Sequence, residues 1–328
     1  MTAATIDHSP PHGADGPGPT VAEAETWLTE WFAAPVVLTS SGRGALRLVL
    51  AKLGLNRYRD RIAMSPMTAA CVFDAVIRHG FPVDPAVSPT AAATVLIQQY
   101  GFVQGWRPAG LVVEDISHAF FAGPSWGARD WAGDFAVFSL PKFFGLAGMA
   151  GGIVCRNHDD AGRLHEQLAE SIPRRQEEAA RDRAIFRNGA GAEIEAVYLR
   201  NLLDSAPDPG ALAGLPAPPG MVAIGHRRAE ILERFLDITR PDGSWPASLR
   251  RVLPYVFPVF GQEARLRAIA GELTEAGISA GVYRVDDARD NRRPAWRPAL
   301  LAPCHHAVPE GKLAAIEDAA RAACDPGL

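Results

Sequence analysis

The chain alternates short apolar runs with longer amphipathic stretches. Thr20 and Glu23 fit a capping box, and Trp27, Leu28, Trp31 and Phe32 give one apolar face to a first helix. After Pro35, the apolar run Val36–Leu38 meets the turn Thr39-Ser40-Ser41-Gly42-Arg43-Gly44, and a helical stretch Ala45–Leu53 follows. Arg61–Met64 and Pro82–Val83 read as strands on either side of a helix that ends near His79-Gly80. Three buried-type strands come next, Thr94–Gln98, Leu111–Glu114 and Phe135–Phe138, and Gly151–Cys155 reads as one more after a glycine-rich turn. Short apolar strands separated by helices predict an α/β fold, with a mixed, mostly parallel sheet covered on both faces over roughly Pro35 to Leu203.

The rhythm then changes. His158–Ile172 predicts a helix with Leu164, Leu168 and Ile172 as its stripe; Pro173 interrupts it, and Arg174–Arg187 continues it with mixed charges that suit a solvated face. Glycine, proline and alanine accumulate from Asn188 to Met221, where no element is assigned. Beyond, Arg251–Phe260 reads as a strand whose Pro254 and Pro258 suit a sheet edge. Glu263–Ala276 predicts a helix stopped by Gly277, Ile278–Val285 a strand and Gly311–Cys324 a last helix. The resulting division is a disordered lead-in over residues 1–19, a large α/β domain over 20–219 and a small C-terminal α+β domain over 220–328.

Composition narrows the function classes. The 328 residues are 48% hydrophobic and 21% charged, ample for a buried core, and the net charge of −4 disfavours nucleic acid or an anionic membrane as partner. No apolar stretch approaches the roughly 18–20 residues of a membrane helix. The first twenty residues hold no Lys or Arg and no apolar core, so no secretory signal is predicted. Four cysteines without a CxxC pair predict reduced thiols, and with them a cytoplasmic location.

Three features carry candidate chemistry. In Ser41-Gly42-Arg43-Gly44, a strand-to-helix turn, glycines let backbone N–H groups approach an anion at a helix N-terminus, although many such turns have no ligand. In Val112-Val113-Glu114-Asp115-Ile116-Ser117-His118, carboxylates stand at the carboxyl end of a strand, where one can hold a heterocyclic nitrogen protonated or simply cap a helix. In Phe138-Ser139-Leu140-Pro141-Lys142-Phe143-Phe144-Gly145, a lysine sits among apolar residues just past a buried strand. Burial there favours a nucleophilic amine, and snorkelling to the surface is the alternative.

The order of glycine turn, strand-end aspartate and lysine resembles the layout of fold-type-I pyridoxal 5′-phosphate (PLP) enzymes. The stretch Glu114–Val154 (EDISHAFFAG…GDFAVFSLPKFFGLAGMAGGIV) is similar to the DegT/DnrJ-type, sugar aminotransferase-like enzymes. Ser41–Leu46, Ile62–Pro85, Ile97–Gly101, Tyr255–Phe260 and Glu263–Val285 extend the likeness. The resemblance implies that Lys142 is the Schiff-base lysine and that Asp115 partners the pyridine nitrogen. It implies that His118 lies near the ring, that Ser41, Gly42, Arg43 and Ser139 hold the phosphate, and that the protein is a homodimer. Three features depart from the family pattern. Ser139 stands only three residues before Lys142, Ala69 occupies a position often aromatic, and the Asn/Arg loop toward the neighbouring subunit is not recognisable in Asn188–Leu203.

Other motifs lead elsewhere. Ser139-Leu140-Pro141-Lys142 satisfies the SxxK of acyl-transfer enzymes, but the chain holds neither SDN nor KTG. Cys304-His305-His306 reads as a loop before the last helix, without the spacing of a metal site. The expectation is a PLP-dependent transferase of the aminotransferase type acting on a small amine, amino acid or keto substrate. Elimination or replacement on the same fold, or PLP binding without catalysis, are the alternatives.

Overall fold

The computed structural model describes residues 6–11, 17–88, 90–101, 104–106, 108, 110–122, 133–170, 181, 184–185, 206–239 and 252–324. The continuation helix Arg174–Arg187, apart from three residues, and the Asn188–Leu203 segment lie outside them.

Helix α1 (Val21–Phe32) starts from the capping box: Thr20 Oγ1 accepts from the Glu23 N–H at 3.2 Å, and Glu23 Oε2 accepts from the Thr20 N–H at 2.8 Å. The large sheet then forms from β1 (Val36–Thr39), β2 (Arg61–Met64), β3 (Phe81–Val83), β4 (Ala93–Ile97), β5 (Leu111–Asp115), β7 (Phe135–Ser139) and β8 (Gly151–Cys155). Its order is β1-β8-β7-β5-β4-β2-β3. Strands β7, β5, β4, β2 and β3 pair in parallel, while β8 runs antiparallel between β7 and β1. The mostly parallel mixed sheet is therefore the one the apolar runs predict.

Both faces of this sheet are covered, which is why its strands read as continuous apolar runs. Val37, Val137 and Ile153 point toward α2 (Gly42–Lys52), α3 (Ala70–Ile77) and α4 (His158–Glu170), in one core. Val36, Leu38, Phe138 and Val154 point to the other face, against α1, a group of phenylalanines and the C-terminal part of the chain. Helix α2 begins three residues earlier than the sequence predicts, because Ser41 caps it directly: its Oγ accepts from the Gly44 N–H at 3.0 Å.

The C-terminal part contains α5 (Pro218–Thr239) and a three-stranded antiparallel sheet of order β10-β12-β11, namely β10 (Val256–Phe260), β11 (Gly281–Asp286) and β12 (Trp296–Pro303). Helices α6 (Glu263–Glu275) and α7 (Glu310–Cys324) pack with it. Two expectations change here. The single strand Arg251–Phe260 is two: β9 (Val252–Leu253) pairs with β6 (Phe121–Ala122), and only β10 joins the small sheet, at its edge as the prolines suggested. Strand β12 has no counterpart in the sequence reading, since Pro298 and Pro303 argue against a central strand. Each proline falls where β12 has only one neighbour in register, Pro298 on β11 and Pro303 on β10. Helix α5 begins at Pro218, two residues before residue 220, and its Met221, Ile231, Leu232 and Phe235 join the core shared with α1 and the large sheet.

The lead-in also differs. Within residues 1–19, Ile6 bridges to Ile278, the Asp7 carbonyl accepts from His305 Nε2 at 3.0 Å, and Pro10 is buried. These residues gain from the small sheet the contacts that their composition alone does not supply.

Candidate active site

The carboxyl ends of the parallel strands converge at one edge of the sheet, where open α/β sheets bind ligands. The register ties the candidate positions together: Thr39 and Ser139 both pair with Gly151, and Asp115 pairs with Val137 one strand over. Strand β1 turns at Ser41 into α2, and this turn presses on the same edge. A Cβ on Gly151 would lie 2.2 Å from the Gly42 nitrogen, and one on Gly42 would lie 2.9 Å from the Phe138 carbonyl oxygen and 3.2 Å from Ser117 Oγ. Only glycines permit this approach, which sets the N-terminus of α2 beside Ser139. Ser41 itself is buried as the cap of α2, and Arg43 is partly buried, its charge lowering the pKa of Lys142.

Lys142 follows β7 on a loop held from beneath by Phe143 and Phe144, which pack in a cluster with Phe120 and Phe121. Its Nζ lies 2.9 Å from His118 Nε2 and 5.6 Å from the centre of the Tyr255 ring. Burial pushes the Lys142 ammonium below its ordinary pKa; Asp115 and Cys71 act in the opposite sense, and Arg43 adds to the lowering. The His118 imidazole is driven well below its ordinary value, by burial first and by Lys142 second. Asp115 is buried at the end of β5, and its Oδ1 accepts from the Ser117 N–H at 2.9 Å, which shapes the loop carrying His118.

The structure thus brings Lys142, Asp115, His118, Ser139 and the Ser41–Arg43 turn to one edge. It adds residues that were not singled out from the sequence. Tyr100 and Tyr255 stack on the two faces of His118, with centroids 5.2 and 5.1 Å away. Tyr255 is anchored from behind by the buried Arg228 of α5, whose Nη2 donates to the Pro254 and Tyr255 carbonyls at 2.8 and 3.3 Å while its guanidinium lies 4.9 Å from the Phe143 ring. An aromatic residue beside the glycine of Tyr100-Gly101, just past a buried strand, was the available signal for Tyr100. Nothing local marks Tyr255. Ala69, where an aromatic was noted as frequent, precedes α3 without any side-chain cap.

No protein-family model and no curated protein matches the chain. Solved structures do. A putative sugar aminotransferase from Streptococcus pneumoniae in its PMP form superposes with a TM-score of 0.70 at 15% identity, over 96% of this chain and 98% of that one. A DegT DnrJ EryC1 StrS aminotransferase from Brucella abortus gives 0.66 at 18% identity, over 93% and 90%. Helicobacter pylori PseC, an aminotransferase involved in the biosynthesis of pseudoaminic acid, gives 0.66 at 13%, over 98% and 99%. The chain shares the α/β fold of these aminotransferases over 93–98% of its length.

Proposed function

We propose that this protein is a PLP-dependent aminotransferase that moves an amino group between a small amine or amino acid and a keto compound, with a keto-sugar as the favoured acceptor. One observation carries the reading: Lys142 Nζ stands 2.9 Å from His118 Nε2 at the sheet edge where buried Asp115 ends β5 and the capped N-terminus of α2 abuts β7. Each part suits a different portion of the cofactor. The N-terminus of α2, set beside Ser139 by these glycines, offers backbone donors to a phosphate, with Ser139 adding a hydroxyl and Arg43 a charge. Asp115 offers a carboxylate to a protonated pyridine nitrogen. When bound, the cofactor supplies an electron sink for the carbon that bears the substrate nitrogen. Lys142 would supply an amine to hold the cofactor and a base to move a proton. The names of the structural neighbours support a sugar as substrate.

The chain has three lysines, which makes the test sharp. Lys52 is ion-paired with Asp160 at 2.6 Å and Lys312 lies in the first turn of α7, so neither is at the sheet edge. Protein incubated with PLP, reduced with borohydride and mapped by peptide mass should carry the pyridoxyl group on Lys142. A label on Lys52 or Lys312 alone, or no label, overturns the reading.

We infer a cytoplasmic homodimer. Met67, Phe73, Ile77 and Phe81 form an exposed apolar stretch on and around α3, the helix that also brings Cys71 toward Lys142. Sedimentation at micromolar concentration should give twice the chain mass, and Phe73→Glu should shift it to the monomer. No described helix is long and apolar enough to cross a membrane.

A further inference from the structure

His118 is held on both faces and at both nitrogens. The Tyr100 and Tyr255 rings lie 6° and 10° from parallel with it. The backbone N–H of Tyr100 donates to Nδ1 at 3.0 Å, and Nε2 faces Lys142 Nζ. The turn that aims this N–H is unusual. Tyr100 has φ +56° and Gly101 φ +85°, and a Cβ on Gly101 would fall 2.5 Å from Pro254 Cα. A left-handed tyrosine is unfavourable and persists only where its surroundings over-determine it.

Counting protons decides what these contacts mean. A backbone N–H only donates, so Nδ1 accepts and carries no proton. A neutral imidazole with a bare Nδ1 is protonated at Nε2. The other tautomer, and the imidazolium, would each set two donors against one another at Nδ1. The Nε2–H in turn needs an acceptor, and an ammonium group has none, whereas a neutral amine offers its lone pair. We propose that Tyr100 is a positioning residue: its backbone N–H fixes His118 as the Nε2–H tautomer, and through that ring presents Lys142 as an unprotonated amine. Its value for catalysis rests on Lys142 being the Schiff-base lysine, but the geometry does not depend on that reading.

The groups facing Lys142 are consistent with this state. Asp115 from β5 and Cys71 from α3 favour the ammonium; Arg43 from α2 and burial oppose it, and burial is the largest cause. An amine already free of its proton can attack a carbonyl carbon directly.

The test uses the full chain without cofactor. Long-range proton–nitrogen correlation spectra of protein labelled with 15N-histidine, with His118 assigned by its loss in His118→Gln, should show Nδ1 bare and Nε2 protonated at neutral pH. The Nδ1–H tautomer or an imidazolium overturns the proposal. The second measurement is the rate of Lys142 acetylation by acetic anhydride against pH, read by peptide mass. Glutamine can accept from the Tyr100 N–H and donate to Lys142, whereas leucine can do neither. His118→Leu should slow acetylation at neutral pH by roughly three- to tenfold and move the profile to higher pH, and His118→Gln should keep the wild-type profile. A wild-type profile in folded His118→Leu, or a folded His118→Gln as slow as His118→Leu, overturns it. Borohydride labelling away from Lys142 would instead remove the proposed function and leave the tautomer intact.

Discussion

Asp115 joins two tasks in one side chain. Its Oδ1 accepts from the Ser117 N–H at 2.9 Å and so shapes the loop that carries His118, while its charge faces Lys142. Two substitutions separate the tasks. Asp115→Asn keeps an oxygen for Ser117 and removes the charge; it should retain cofactor binding and lose about a hundredfold or more in turnover, the scale of removing one preorganised electrostatic partner. Asp115→Ala should lose turnover as far and bind cofactor more weakly, because the loop loses its acceptor as well. Steady-state rates with a panel of amino donors, alongside absorbance titrations with PLP, provide the comparison. Full turnover in Asp115→Asn would count against the charge as the working part. At this scale much was readable: Lys142 and Asp115 each sit in a short string whose neighbours betray burial. Tyr100 and Tyr255 were not, because their roles exist only once three distant segments meet on His118.

Among the elements, the decisive contact is between the start of α2 and β8. With a Cβ on Gly151 falling 2.2 Å from the Gly42 nitrogen and 2.4 Å from the Ser41 carbonyl carbon, only backbone could give way. Gly151→Ala should therefore destabilise the fold by about 1–3 kcal/mol and weaken PLP binding as α2 is displaced from Ser139. Gly162 in α4 has nothing within 4 Å of an added Cβ, so Gly162→Ala should stabilise by about 0.5–1 kcal/mol and leave binding unchanged. Urea melts of both proteins check the pair, and a Gly151→Ala melt matching wild type would refute the close approach. The glycines of this turn were legible as a ligand-type turn and Gly151–Cys155 as a strand, but that the one would press against the other was not.

For the whole molecule, the small sheet and last helix close over a set of histidines kept neutral by burial. Burial pushes His305 down to about 3 and His306 to about 4, with the Arg228 charge as the second cause in each. In the unfolded chain these rings titrate near 6.5. As pH falls below that value the unfolded chain takes up protons that the folded chain refuses, so stability is fully present above about pH 6.5 and is lost on the way down to pH 4 and 3. Each ring contributes at most about 1.4 kcal/mol per pH unit within its window, less for the partly exposed His306. Urea unfolding followed from neutral pH downward should steepen accordingly, and His305→Gln with His306→Gln together should flatten the dependence. An unchanged slope in the double variant would show that carboxylates, not these rings, govern acid sensitivity.

From its sequence this protein had already declared an α/β class, a mixed, mostly parallel sheet with two covered faces, and the order of turn, aspartate and lysine along the chain. Those are local properties: apolar periodicity, caps and glycines act over a few residues and leave their mark in the string. Tertiary structure alone decided that α5 would share a core with α1 and the large sheet, that β12 would be central despite Pro298 and Pro303, and that residues 6–11 would dock on the small sheet. It also decided the proton pattern around His118. Partners in a sheet, burial of a charge and the direction of a hydrogen bond depend on groups far apart in the chain, and their energies exist only when folding brings those groups within a few ångströms.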